Sequence, residues 1–346
     1  MGQEQLTFFP TYGYTDGDRW LIPVRLRLCR ERPFLDRLLA DIAGELVRPS
    51  PRELNNFRDR IAGLIADDLE GRMVELTFEG NGNRHVCQLR HGEDLLLTDF
   101  DGVVEDVVEL PRSIAASIAP GTGRSINCQA VSGDTATNGR IQLIEPSGSS
   151  LISDIDDTIK ITEIPAGLKI VTRNTFFRDF VAVPQMSQRY HQLGVTAFHY
   201  VSGSPWQLYR PLGVFLIAGG GGFPEGSFHL KTVDHALRSN HTWQELAELA
   251  AEGFDSKTAT YNQKVKQIRE IIGHFPGRRF ILFGDSGEKD PEVYREIRAE
   301  FGDRIKSVHI RDVVNARELD PARLDFVDEK IPAQTIEPGV SQFGSI

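Results

Sequence analysis

Over the first 148 residues, apolar and polar positions alternate in short runs. RWLIPVRLRLC (19–29), RMVELTFEG (72–80), RHVCQLRHG (84–92), GVVEDVVELP (102–111), RSINCQAVSG (124–133) and GRIQLIEPSG (139–148) are rich in Val, Ile and Leu and read as strands. EGNGNR and SGDTATNGR separate them, supplying the Gly, Asn and Asp that hairpin connections use. Two segments, 34–47 and 51–68, break the pattern; in the second, Leu54, Phe57, Ile61, Ile65 and Leu69 recur at helical spacing. The pattern predicts a β-rich domain over 1–148, sandwich- or barrel-like, with a helical insertion.

The period changes at EPSGSS, 145–150. Compact apolar runs then alternate with helical ones: LISD, a helix near 185–193, VTAFHYVS (195–202), a helix near 206–217, SFHLKT (227–232), helices near 241–252 and 261–274, RRFILFGD (278–285), a helix near 291–301 and IKSVHI (305–310). Strands apolar on both faces and alternating with helices predict a parallel α/β domain, placed at 149–318. The stretch 319–346 lacks periodicity and is expected to be a flexible tail.

Composition narrows the class. With 40% hydrophobic and 25% charged residues, the chain of 346 has ordinary globular content for about two domains. A net charge of −10 speaks against a nucleic-acid partner but not against an anionic substrate, because a bound cation reverses the sign locally. Cys29, Cys87 and Cys128 are too few and too odd for a disulfide framework and fit a reducing compartment. MGQEQLTFFP has neither a basic nor an apolar leader segment, and Leu6 stands where myristoylation needs Ser or Thr. The stretch 211–223 is too short and glycine-rich to span a bilayer, so a cytoplasmic protein is expected.

The chemistry concentrates at two strand ends. In LISDIDDTIKIT, 151–162, three carboxylates fall within four positions directly behind buried-strand residues. A calcium loop would need Gly and Glu where Ile159 and Pro165 stand, which excludes that reading. FILFGDSGEKDPEVY presents Asp285 and Asp290 at the end of another apolar strand. Either stretch alone could simply cap the following helix. Together they would converge in the crevice at the carboxyl ends of a parallel sheet, where hard oxygen ligands suit magnesium. Between them, Ser202, Gly203 and Ser204 sit at a strand-to-helix junction, a phosphate cradle or a plain turn. His229, His235 and His241 match no zinc spacing, and the glycine run 219–222 lacks the rest of a nucleotide loop.

The order D-x-D-x-T, strand-ending Ser, Lys, then G-D-x-x-x-x-D resembles the four motifs of the haloacid dehalogenase superfamily of phosphotransferases. SDIDDTIKIT, VSGSPWQLY, FPEGSFHLK, K-x-x-x-I at 264–268 and FILFGDSGEKDPEVY resemble the catalytic domain of the actin-patch-associated phosphatidate phosphatases, over about 150–315. FFPTYGYTDGD is also similar to what precedes that domain in the family.

The resemblance implies a Rossmann-like parallel fold with a minimal cap, since 159–194 leaves room for only a flap and one helix. It makes Asp154 the nucleophile that forms an aspartyl-phosphate, and Asp156 the general acid–base group. Magnesium would be held by Asp154, the Asp156 backbone carbonyl, Asp285 and Asp290. Ser202, Gly203 and Lys264 would hold the phosphoryl group, and Thr158 would brace the loop. Lys264 and Lys266 point about 200° apart on a helix, and the K-x-x-x-I spacing selects Lys264. The substrate class implied is phosphatidate, with peripheral membrane contact. Trp206, Phe176, Phe177 and 211–223 could give an apolar approach, although such residues more often form core. Two other readings stay open: a phosphatase of a soluble ester or phosphoprotein, and a non-catalytic lipid-binding or scaffold protein.

Overall fold

The computed structural model describes residues 2–32, 49–121, 125–218, 220–232 and 257–333. The expected helices at 34–47 and 241–252, together with Gly219, His235, His241 and the chain after 333, lie outside the described residues. Strand Arg19–Arg30 is the hub of the N-terminal region, pairing antiparallel with Glu4–Phe8, Thr11–Asp16 and Val103–Pro111. Thr11–Asp16 also pairs in parallel with Thr135–Leu143, which leads antiparallel through Ser125–Ser132 and Glu75–Gly80 to Asn83–Gln88. Alternate residues of the hub (Trp20, Ile22, Val24, Leu26, Leu28) are buried against Leu76, Phe78, Val108, Ile126 and Leu143. The first two strands escape the periodicity because FFPTYGY carries Pro10 and Gly13. Gly13 is there for space: a Cβ would lie 2.8 Å from Leu143 and 3.2 Å from Ile22.

From Ser147 onward the chain builds a six-stranded sheet, in the order Ser227–Lys231, Ala197–Pro205, Ser147–Ser153, Gly277–Asp285, Ile305–Asp312, Glu329–Pro332. Every neighbouring pair is parallel. The two faces sort by residue parity. Leu151, Tyr200 and Phe283 face one core; Ile152, Val201 and Leu282 face the other. Helices Lys257–His274 and Asp290–Phe301 cover the second face with Val265, Ile268, Ile272, Val293 and Ile297. The flap after Asp154 and helix Met186–Gln192 cover the first, with Phe176, Phe177, Met186 and Tyr190. The tail expectation is corrected for 319–333: Leu324 is fully buried, Asp328 accepts from Val308 N at 2.8 Å, and Glu329–Pro332 becomes the edge strand. Four residues of strand beside a 3₁₀ turn are too short to leave a period in the sequence.

The N-terminal region contributes to both α/β cores. Tyr12 enters one, its hydroxyl 2.8 Å from His274 Nδ1, with Tyr14 stacked on the same imidazole at 3.9 Å. His199 and His229 lie around Tyr12 and share Ser227, at 2.8 and 2.9 Å. Burial pushes His199 well below the ordinary imidazole value, His229 down to about 3 and His274 to about 4. On the other face, helix Pro51–Ile65, capped by Ser50 and Glu53, lays Phe57 flat on Phe177 at 4.9 Å. From the same helix Asn56 donates to the Phe177 carbonyl at 2.8 Å, and Arg60 donates to those of Thr175 and Arg178 at 2.9 and 2.6 Å. The flap therefore rests on the N-terminal helix.

Candidate active site

Asp154 follows strand Ser147–Ser153 and Asp285 ends the neighbouring Gly277–Asp285, tied by Asp154 N donating to Phe283 O at 2.9 Å. Adjacent parallel strands therefore bring the two carboxylates side by side. Asp290, first residue of the next helix, folds back so that its Oδ2 accepts from Asp285 N at 3.2 Å. The close return requires Gly284, where a Cβ would stand 2.6 Å from Asp290 Oδ2. One ligand atom from each of Asp154, Asp285 and Asp290 falls within 4.8 Å of the others, all three residues being buried. Asp285 Oδ1 accepts from Gly287 N and Glu288 N at 2.6 and 3.1 Å, while Asp154 Oδ2 and Asp285 Oδ2 are buried without a partner.

Lys264 enters this cluster from the third turn of helix Lys257–His274, which starts earlier than the expected 261, and Lys266 is exposed. Lys264 Nζ donates to Asp154 Oδ1 at 2.8 Å, Asp290 Oδ1 at 2.6 Å and Glu288 Oε2 at 3.2 Å. One ammonium faces three carboxylates, with Asp285 beside them and unpaired to it, and the electrostatics follow. Burial first, with the neighbouring acids against the opposing pull of Lys264, pushes Asp154 well above the usual carboxylate range. Burial and then Asp290 do the same to Asp285, and Glu288 is raised by burial. Lys264 is raised well above its ordinary value: its carboxylate partners outweigh burial, the largest opposing effect. Two orphaned oxygens in an over-acidic, sealed group of hard donors are what a divalent cation such as magnesium fits.

Asp156, two residues on, faces elsewhere. Its Oδ1 takes Lys160 Nζ at 2.7 Å and Thr162 Oγ1 at 2.7 Å; its Oδ2 takes Ser202 Oγ at 3.1 Å and Ser204 Oγ at 2.9 Å. Burial would raise this carboxyl, but Lys160 and the hydroxyl donors outweigh it and hold the group below its usual range. The Asp156 carboxylate thus stands apart from the metal-competent trio, and the Ser202 hydroxyl points at Asp156. Asp157 serves the backbone: at a positive φ of 58°, it accepts from the amides of Thr162, Glu163 and Ile164. Thr158 is buried beside them with its hydroxyl unpartnered, and Gly203 is buried between the two serines.

Lys160 and Glu288 were missed by sequence reasoning, and Lys160 left no signal beyond its place in the first motif. Ser204, read at the strand-to-helix junction with Ser202, donates beside it to Asp156. The expected apolar approach is corrected in part: Phe176 and Phe177 are core residues, held there by Phe57, and Trp206 packs on Phe9 at 4.7 Å.

Residues 149–312 match the family model "Phosphatidate phosphatase APP1, catalytic domain". Phosphatidate phosphatase APP1 of Saccharomyces cerevisiae is 33% identical over 178 residues, covering 50% of this chain and 27% of that protein. An uncharacterized protein of Schizosaccharomyces pombe is 29% identical over 180 residues, covering 51% of this chain and 27% of its own. The chain thus spans about a quarter of the length of the curated relatives it matches. A solved family 2 glycosyl hydrolase from Bacteroides cellulosilyticus aligns with 94% of this chain and 40% of its own at 11% identity, with a TM-score of 0.26, too low to bear on the fold. By the motifs at its strand ends and the family match, the segment 149–312 belongs to the catalytic-domain family of phosphatidate phosphatase APP1.

Proposed function

We propose that this chain is a magnesium-dependent phosphomonoester hydrolase of haloacid dehalogenase type, with a Rossmann-like core and minimal cap, and that its substrate is phosphatidate, cleaved to diacylglycerol and phosphate. The observation that carries the reading is the convergence of Asp154, Asp285, Asp290 and Lys264 at the carboxyl ends of adjacent parallel strands. Asp154, Asp285 and Asp290 would hold the cation, with the Asp156 backbone carbonyl. Once bound, it would neutralise the carboxylates and polarise the phosphoryl oxygens.

Asp154 attacks phosphorus as the ester P–O bond breaks, and the departing alkoxide takes a proton from Asp156, which has to enter this step protonated, against the pull of Lys160 and its hydroxyl donors. In the second half, water attacks the aspartyl-phosphate, gives its proton to Asp156 and releases phosphate, restoring both side chains. Lys264 keeps Asp154 oriented and offsets charge on the phosphoryl oxygens. Ser202, which in this state donates to Asp156, lies within reach to turn to the phosphate. Among the described residues no helix is long and apolar enough to cross a membrane. Peripheral contact with a lipid surface from the cytoplasm is part of the proposal, as the family resemblance implies.

The test is a panel running from phosphatidate in micelles to sugar phosphates and phosphopeptides, with magnesium and with excess chelator. Hydrolysis of phosphatidate that stops with chelator and returns with magnesium is expected. Equal rates in chelator defeat the metal-dependent chemistry, preference for a soluble ester defeats the substrate assignment, and no turnover of any ester points to a binding protein.

A further inference from the structure

Lys160 is almost sealed, 1% exposed, in a loop fixed on every side. Its amide donates to Ile155 O at 2.9 Å and its carbonyl accepts from Asp157 N at 2.7 Å, so its backbone closes the catalytic loop. Residues 159–161 pair antiparallel with 181–183, through Ile161 N to Val181 O and Val183 N to Ile159 O, both 2.9 Å. That hairpin carries Phe180, whose ring centre lies 4.9 Å from Lys160 Nζ and 3.7 Å from the Arg60 guanidinium. Nζ also donates to Thr162 Oγ1 at 2.5 Å, and the Thr162 hydroxyl in turn donates a hydrogen bond to Asp156 Oδ1. Asp156 is the only carboxylate paired with Lys160 among the described residues. A buried ammonium with one counter-charge fixes that counter-charge in place, because separating the two leaves both uncompensated. Two of the loop's three aspartates are thereby divided between two lysines, Lys264 for Asp154 and Lys160 for Asp156.

We propose that Lys160 is the positioning residue for Asp156: it holds that carboxyl at the serine end of the crevice, where Ser202 and Ser204 fix its other oxygen and a leaving alcohol would meet it. Lys160 Nζ reaches Asp156 and Thr162 and would act through Asp156. The inference rests on the phosphatase reading, and in particular on Asp156 as the proton donor. A residue that works through the leaving-group proton matters when the leaving oxygen is basic and little when it is not.

The experiment compares kcat/KM for an alkyl phosphate and for 4-nitrophenyl phosphate, with magnesium, in wild type, Lys160→Met, Asp156→Asn and the double variant. Because general-acid assistance contributes about 10²–10⁴-fold, Lys160→Met is expected to lose about 10²-fold on the alkyl ester and under about 10-fold on the aryl one. In the Asp156→Asn background the lysine substitution should add almost nothing, since both act on one proton. Equal losses on the two esters, or losses that multiply in the double variant, overturn the assignment. Should Lys160→Met fail to fold, the double variant against Asp156→Asn, where the uncompensated charge is gone, decides alone. A wild type that hydrolyses neither ester overturns the phosphatase reading itself, and this inference with it; an active wild type with leaving-group-blind variants overturns only the role of Lys160.

Discussion

Asp154 and Asp156 share a loop, a residue type and complete burial, and their surroundings push them in opposite directions. Around Asp154, three carboxylates share one ammonium, and an oxygen of Asp154 and one of Asp285 have no donor. Around Asp156 one ammonium and three hydroxyls satisfy both oxygens. The first pocket leaves carboxylate oxygens unmatched; the second matches both of its own. Pairs of acids driven apart by their surroundings are where acid–base roles divide. The surroundings of each carboxylate are thus set by which lysine reaches it: Lys160 lies four residues from Asp156, Lys264 is 110 residues from Asp154.

The sharpest way to break the comparison is to neutralise each acid in turn. Asp154→Asn should abolish turnover and, without metal, leave the melting temperature unchanged or higher, because it relieves repulsion while Lys264 keeps Asp290 and Glu288. Asp156→Asn should cost about 10²–10⁴-fold in turnover. It should also destabilise by about 3–5 kcal/mol, the usual result of leaving one buried charge unpaired. Two variants with the same thermal response would erase the distinction between the pockets.

The lysines come next. Lys264→Ala should lose far more activity than Lys266→Ala, which should match wild type, since only the former reaches the carboxylates. An inactive Lys266→Ala with an active Lys264→Ala would reverse the assignment.

The smallest effect is on acid stability, and it separates the crevice from the Tyr12 interface. His199, His229 and His274 are held below the ordinary imidazole value near about 6.5. The unfolded chain therefore takes up their protons first, so their contribution is whole above about 6.5 and drains away as pH falls toward the folded values. Asp154 and Asp285, displaced upward, respond with the opposite sign: acid relieves their repulsion. Melting temperatures between pH 7 and 4.5 should fall in wild type and fall less in His229→Gln. An identical slope in both would remove the interface from the account.

Asp154, Asp285 and Lys264 could be read from the chain because each stands at a fixed offset from a regular element: two at the ends of apolar strands, one beside the buried stripe Val265, Ile268 and Ile272 of a helix. Lys160 could not. Its burial depends on Phe180, twenty residues on, and on Arg60 from another region, contacts that no local period encodes. The same holds for the first two strands, whose Pro10 and Gly13 obscure the alternation, and for Glu329–Pro332, which is extended because a sheet edge is there to receive it.

Helix Pro51–Ile65 has one more consequence. It meets the flap through a stacked ring and three side-chain-to-carbonyl bonds, and two of its residues belong to the α/β core. The family segment begins at 149, yet part of the support for its flap is encoded a hundred residues earlier. Cut at that line, the catalytic half would show water the face of Phe177 and lose partners for three carbonyls. It is a tenant of a scaffold rather than a portable cassette, and swapping it between relatives would demand that the helix and the flap be inherited together.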